Sequence, residues 1–262
     1  MSSTSTIQSA VTSPEFFEVL GVKISAVNLA SACQTIDTWI RNKIPSYVCV
    51  APVSTVVDCQ DSVGYRDIVN RAGMVTPDGM PLVWIARNRG KKQVGRTYGP
   101  DLLREVCAYG LTRGYRHYFY GGSVQTVERL VEKLKRDFSG INVAGYYSPP
   151  LRQVGEMEVD AVIAAINASA ADIIWVGLGS PKQDYWMHQH RGLIQTPVMA
   201  GVGAAFDFIA GTKPQAPRWM RRAGLEWLFR LVCEPRRLWR RYLVGNSYFL
   251  YRLLKAALSK QN

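Results

Sequence analysis

The sequence predicts an α/β fold: a Rossmann-like, mostly parallel sheet flanked by helices, followed by a basic C-terminal helical appendage. Three observations carry this. Short β-prone runs alternate with helical runs from about Tyr47 to Gly201. After Asp172 the run to Leu178 is uncharged and apolar, as a strand covered on both faces must be. The charge is also uneven. The chain has 262 residues and a net charge of +12, and residues 211–262 supply +10 of it, from 12 Lys and Arg against 2 acids.

Taken in order, residues 1–14 are Ser/Thr-rich, without Lys or Arg, and read as a disordered lead-in, not a signal peptide. Phe16 to Val27 alternates around Gly21, which suggests a hairpin. Asn28 caps a helix to about Asn42, with Leu29, Ala32, Cys33, Ile36 and Ile40 on one face. Tyr47 to Ala51 is a short buried strand, and Ser54 to Arg71 is mostly helical. A strand closing at Val75 leads to Thr76-Pro77-Asp78-Gly79, and Pro81 fits the first turn of a helix reaching about Arg89. A loop with Lys91, Lys92 and Arg96 precedes a helix from Pro100 to about Arg113.

Strands follow at Arg116–Tyr120 and Ile141–Tyr147, with a helix to about Phe138 between them. A helix over about Glu156–Ala168, the Asp172 strand, a short helix from Gln183 to His190 and a strand from Pro197 to Gly201 complete the body, 15–210. Residues 211–262 form the appendage. One of its helices ends near Glu234-Pro235, and another runs from about Arg236 toward Leu258.

Composition narrows the function. At 47% hydrophobic and 20% charged, the chain has ample core for one α/β domain. Cys33, Cys49, Cys59, Cys107 and Cys233 are scattered and form no C-x-x-C pair, against a zinc site or disulfide framework. His188 and His190 lie at i, i+2 and do not share a helix face. No Asp-x-Asp occurs, so metal-independent chemistry without a cofactor is the expectation. There is no Ser nucleophile elbow, G-x-G-x-x-G or Walker loop. No run reaches the 18 or so apolar residues of a spanning helix.

In open α/β sheets, ligands bind beyond the carboxyl ends of the strands. Four pieces fall there: Asp78, Arg96, Gly121-Gly122-Ser123, and Gly179 through Gln183. Asp78 has two readings, the N-cap of the next helix or a general base at the mouth of the sheet. Gly121 and Gly122 open a turn into a helix that is either a plain connection or a cradle for a nucleotide diphosphate. Gln183 offers an amide to a sugar, and Lys182 a charge to phosphate. In the appendage, Arg interleaves with Trp219, Trp227, Phe229, Trp239 and Tyr242, as at an anionic membrane surface. Trp227, Trp239, Tyr242, Phe249 and Leu253 are expected to face that surface.

Together these pieces resemble the WecG/TagA/CpsF glycosyltransferases, family 26 of the sugar transferases, from about Gly21 to Tyr251. The resemblance lies in Thr76-Pro77-Asp78-Gly79, Gly95-Arg96 with Gly99-Pro100-Asp101-Leu102, Gly177 through Gln183, Gly201 through Asp207, and Arg218-Trp219 through Glu226-Trp227 to Arg241-Tyr242. It implies inverting, metal-independent transfer of a hexose from a UDP-sugar onto a sugar carried on polyprenyl diphosphate. Asp78 would be the base, Arg96 and Gln183 would lie by the donor, and Arg230, Arg237 and Arg240 would hold the lipid diphosphate. It also implies a peripheral place on the cytoplasmic face of the inner membrane, and it leaves oligomeric state open, a homo-oligomer included.

Many members carry Thr-x-Asn-x-Glu where this chain has Ala51-Pro52-Val53-Ser54-Thr55. The lost polar groups favour glucose, as in the xanthan-type exopolysaccharide branch. N-acetylmannosaminyl or N-acetylmannosaminuronyl transfer is the alternative. A nucleic-acid-binding module with a basic tail is the rival from another class.

Overall fold

The computed structural model describes residues 13–150 and 160–259. The expected lead-in, except residues 13 and 14, and the start of the helix expected at Glu156 lie outside these residues.

Six parallel strands form the central sheet: β3 (Ser46–Ala51), β4 (Met74–Pro77), β5 (Arg116–Gly121), β6 (Asn142–Tyr147), β7 (Ile173–Gly177) and β8 (Val198–Gly201), in the order β4-β3-β8-β7-β5-β6. The antiparallel hairpin of β1 (Phe16–Val19) and β2 (Val22–Ser25) stands apart as a separate two-stranded sheet.

Period-2 alternation divides the strands between two cores. Tyr47, Cys49 and Ala51 of β3 and Ile174 and Val176 of β7 point into one core. It also takes in the hairpin, α2 (Val53–Asp61), α3 (Val63–Asn70), α4 (Met80–Asn88), α7 (Asp160–Ala168) and α8 (Lys182–His190). Val48 and Val50, and Ile173 and Trp175, point into the other. There they meet α1 (Leu29–Arg41), α5 (Gly99–Gly110), α6 (Val124–Asp137) and α9 (Ala205–Ala210). The α1 cap is as expected: the Asn28 side chain accepts from Ser31 N–H and the Ser31 hydroxyl accepts from Asn28 N–H, a reciprocal box. Helix α9 was not foreseen; at six residues it is too short to show a 3.6-residue period.

The appendage comprises α10 (Arg218–Arg222), α11 (Glu226–Cys233), α12 (Pro235–Trp239), a π-helical turn over Arg240–Val244, and α13 (Gly245–Leu258). The chain bends at Glu234, whose φ of −134° and ψ of 59° leave the helical region just before Pro235.

This appendage packs on the body, which corrects the membrane face read from the sequence. Phe249 is buried in the first core and Leu253 packs against it. Trp227 and Tyr242 are half-buried and tilt together with ring centroids 6.2 Å apart. Of the expected five, only Trp239 is exposed. The outward apolar row is instead Leu243, Val244, Leu250, Tyr251, Leu254 and Leu258. Amphipathic periodicity finds the apolar stripe but not which partner covers it. Among the described residues, no helix is long and apolar enough to cross a membrane.

Candidate active site

Asp78 follows the last residue of β4, at the carboxyl edge of the sheet. Its N–H donates to the Ala51 carbonyl (3.1 Å), which ties it to the end of β3. The N-cap of α4 is Gly79, with no side-chain cap bond. The capping reading of Asp78 is therefore corrected: its carboxylate faces Arg96 instead. The Arg96 segment runs beside β4, where Thr97 N–H donates to the Pro77 carbonyl (2.9 Å).

The Arg96 guanidinium joins the body to the appendage. Its Nε donates to the Asp78 carbonyl oxygen. One terminal nitrogen reaches Asp78 Oδ1 at 3.3 Å and Glu226 Oε2 at 2.5 Å. The other donates to the Arg221 carbonyl (3.3 Å). Its plane lies over the Tyr98 ring, 4.2 Å from the centroid. Glu226 is buried, at 8% exposure. Gly224, at φ +74°, gives the turn that brings Glu226 in, and a Cβ there would meet Met80 Cβ at 3.1 Å.

Burial raises the Asp78 carboxyl to a pKa of about 6; Arg96 and Arg230 pull it down and Glu226 pushes it up. A carboxylate so placed is a better base at neutral pH than an ordinary Asp.

Two cavities meet at Asp78. One, of about 380 Å³, lies over the strand ends, between the Gly177–Gln183 loop, the Val202–Phe208 segment and Lys213, Arg230, Arg237 and Arg241. The other, of about 610 Å³, lies under the appendage and is lined mainly by apolar side chains, among them Val53, Met80, Trp84, Trp227, Phe249 and Leu253. Pro52, Asp78, Arg230 and Arg241 line both.

Arg96, Gln183, Gly122, Arg230 and Arg237 thus join Asp78 along these two cavities. Arg237 is ion-paired to Glu234. Gln183 is buried, and its amide is engaged by its own loop: Oε1 accepts from Gly179 N–H (3.1 Å) and Nε2 donates to the Ser180 hydroxyl (3.2 Å). It shapes the loop that borders the cavity. Gly121 does not line the cavity. At φ +120°, its missing Cβ lets β5 approach β7, where a Cβ would lie 2.7 Å from the Gly177 carbonyl carbon.

Arg240 is the one expected arginine that lines neither cavity; it is exposed, with its guanidinium 5.3 Å from the Trp239 centroid. Its neighbour Arg241 turns inward, and its Nε donates to the Ser54 hydroxyl (2.8 Å). The π-helical turn that begins at Arg240 alters the angular step per residue, which 3.6-residue counting misses. Sequence reasoning also gave no role to Glu226. The signal was present, since it is one of two acids in a strongly basic tail.

His188 and His190 point apart: His188 Nδ1 lies 3.4 Å from the Tyr47 hydroxyl, and His190 Nδ1 lies 2.8 Å from the Trp186 carbonyl. Among the described residues, no three His, Cys, Asp or Glu side chains form a metal-ligand cluster.

Comparison with known proteins identifies the family. The model of the "Glycosyl transferase WecG/TagA/CpsF family" matches residues 17–262. A Bacillus spizizenii protein is 30% identical over 211 residues, 80% of this chain and 80% of that protein. A Bacillus subtilis protein is 30% identical over 187 residues, 71% and 70%. A Staphylococcus aureus protein is 24% identical over 241 residues, 91% and 92%. All three carry the name N-acetylglucosaminyldiphosphoundecaprenol N-acetyl-beta-D-mannosaminyltransferase.

Proposed function

The chain belongs to the WecG/TagA/CpsF glycosyltransferase family, and on that premise we propose that it moves an N-acetylated hexosamine from a UDP-sugar to a sugar carried on polyprenyl diphosphate, with Asp78 as general base. The observation that carries this is the position of Asp78 where a polar and an apolar cavity meet. The polar cavity takes the donor. The apolar one takes the start of the prenyl chain, with its diphosphate and sugar toward Asp78.

Asp78 accepts the proton of the acceptor hydroxyl as that oxygen bonds to the anomeric carbon. The bond from that carbon to UDP breaks, and the electron pair leaves on the diphosphate. One displacement inverts the centre. Arg96 orients the base. Arg230 and Arg241 place positive charge at the boundary of the two cavities, where diphosphate charge is held or develops. The lipid-diphosphate role assigned from sequence to Arg240 passes to Arg241, while Arg230 and Arg237 keep theirs. Arg241→Ala should cut transfer roughly 10²-fold, as loss of a preorganised charge does, while Arg240→Ala should stay within about twofold, as expected for an exposed change. Steady-state transfer rates of the two variants check this.

The outward row of Leu243, Val244, Leu250, Tyr251, Leu254 and Leu258, with the basic residues beside it, suits the anionic cytoplasmic leaflet of the inner membrane. The rival nucleic-acid module is set aside by membership in a glycosyltransferase family.

The relatives' names favour N-acetylmannosamine over the glucose expected from sequence. Glucose stays as a second reading on one observation. Pro52, beside Asp78 on the donor cavity, offers no polar side-chain group to an N-acetyl group, and the nearby Ser54 hydroxyl faces the other cavity and accepts from Arg241. Mass spectrometry of products from a panel of UDP-sugars, offered with prenyl-diphosphate-linked N-acetylglucosamine and glucose in a strong chelator, tests both. An N-acetylhexosamine product is expected. A hexose product would move the assignment to glucose, and no product from any pair would overturn the proposal.

A further inference from the structure

Arg96 has two carboxylates to choose between. Its terminal nitrogen sits 2.5 Å from Glu226 Oε2 and 3.3 Å from Asp78 Oδ1. Both acids are largely buried, with side chains 11% and 19% exposed, so water screens these contacts less than surface ones. Arg96 is held from beneath by the Tyr98 ring and from the side by the Arg221 carbonyl. The tail therefore supplies both a second carboxylate, which takes the shorter contact and shares the guanidinium with Asp78, and a carbonyl that holds the other terminal nitrogen.

We infer that Glu226 is a positioning residue for the transfer reaction: it takes the shorter contact with the Arg96 guanidinium and so loosens that group's hold on the Asp78 carboxylate, which leaves the carboxylate available to take a proton. The inference rests on the general-base reading of Asp78. A carboxylate locked bidentately by arginine is a poor base, because its charged form is stabilised in place. With Glu226 neutral, Arg96 closes on Asp78 and the base weakens. Seating of the tail and readiness of the base are thereby one event.

The groups facing Asp78 are few. Arg96 and Tyr98 come from the loop beside β4, Glu226 and Arg230 from α11, and Arg241 and Tyr242 from the π-helical turn. Of these only Glu226 adds negative charge at neutral pH, since burial pushes the Tyr98 and Tyr242 hydroxyls up.

The test is the pH profile of kcat/KM for prenyl-linked acceptor, which reports the free enzyme. Wild type should lose activity below about pH 6. Glu226→Gln should move that acid limb down by roughly one unit or more, since one less like charge and one freer cation act in the same direction. Its plateau at high pH should fall about three- to tenfold, as a weaker base gives a slower proton transfer. Glu226→Asp should restore most of both. A Glu226→Gln plateau that falls while its limb stays put means the residue only seats the tail, and overturns the proposal. So does an unmoved profile, or a limb that moves up.

A second measurement needs neither the Glu226 variants nor transfer. Carboxyl-carbon NMR of protein labelled at Asp should show a group titrating near pH 6 in wild type that is absent in Asp78→Asn, which separates it from the other aspartates raised by burial, Asp58 and Asp184. If the Asp78 carboxyl instead titrates in the ordinary Asp range, there is no raised base for Glu226 to maintain and the proposal fails, whatever the Glu226 variants do. An enzyme that shows this titration but no transfer with any donor fails the proposed function and leaves the Glu226 arrangement standing.

Discussion

Asp78→Asn should lower sugar transfer by about 10²–10⁴-fold, the contribution of a positioned base, while UDP still binds. The change is nearly isosteric, and an Asn oxygen can still accept from Arg96. What it removes is the site that takes the acceptor proton. Stability gives a clean control because of its sign. The folded Asp78 carboxyl titrates at about 6, above its ordinary 3.8. A raised carboxyl contributes stability that is fully present below the unfolded value and is lost as pH rises through the folded one. At neutral pH the ionised Asp78 is thus a cost to the fold, and the neutral Asn escapes it. The variant should melt no lower than wild type at pH 7.5, so the two can be compared directly in isothermal titration with UDP. Turnover within a few fold of wild type would remove Asp78 from the mechanism.

Truncation before Gly211 should abolish transfer altogether. The sheet and most of both cores lie within residues 16–210, so the body should fold. It should still bind UDP through the strand-end loops, more weakly for want of Arg230, Arg237 and Arg241. Three losses end transfer together: Glu226 leaves Arg96, the boundary arginines go, and the apolar cavity loses one wall. The stump should also be less soluble than a simple anchor model expects. Removing Phe249 alone uncovers apolar surface worth about 1.5–3 kcal/mol, on a face that α13 covers in the full chain.

Liposome flotation completes the experiment. The truncated body should not float with anionic vesicles. The full chain carrying Leu250→Glu and Leu254→Glu, both outward-facing, should float poorly yet keep transfer to a short water-soluble prenyl acceptor. A truncated body that transfers to that acceptor at full rate would show that the tail is an anchor and nothing more.

Much of this was legible in the sequence. Strand and helix alternation comes from local periodicity, and each strand of the sheet announced itself by its own run of β-branched, aromatic or apolar residues. Asp78 was visible because Pro77 and Gly79 mark a strand end and a helix start, and an acid between them has nowhere to hide. The bend at Glu234-Pro235 was visible because proline cannot continue the helix before it. The uneven charge marked where the tail departs in character from the body.

The rest depended on contacts between distant segments. Whether Asp78 caps α4 or faces Arg96 is decided by a loop 18 residues away and by Glu226, which lies farther still along the chain. Whether Phe249 or Leu250 meets the body depends on a π-helical turn whose register no heptad count contains. Arg240 and Arg241 are adjacent and identical in type, and that same turn sends one to solvent and the other to the site. The sequence by itself determined the elements, their order and the residue types fit for the chemistry, because those follow from local propensity and pattern. Only the tertiary structure decided which charges share a partner and which apolar face is covered, because pairing and burial are properties of two surfaces brought together, and one stretch of chain records only its own.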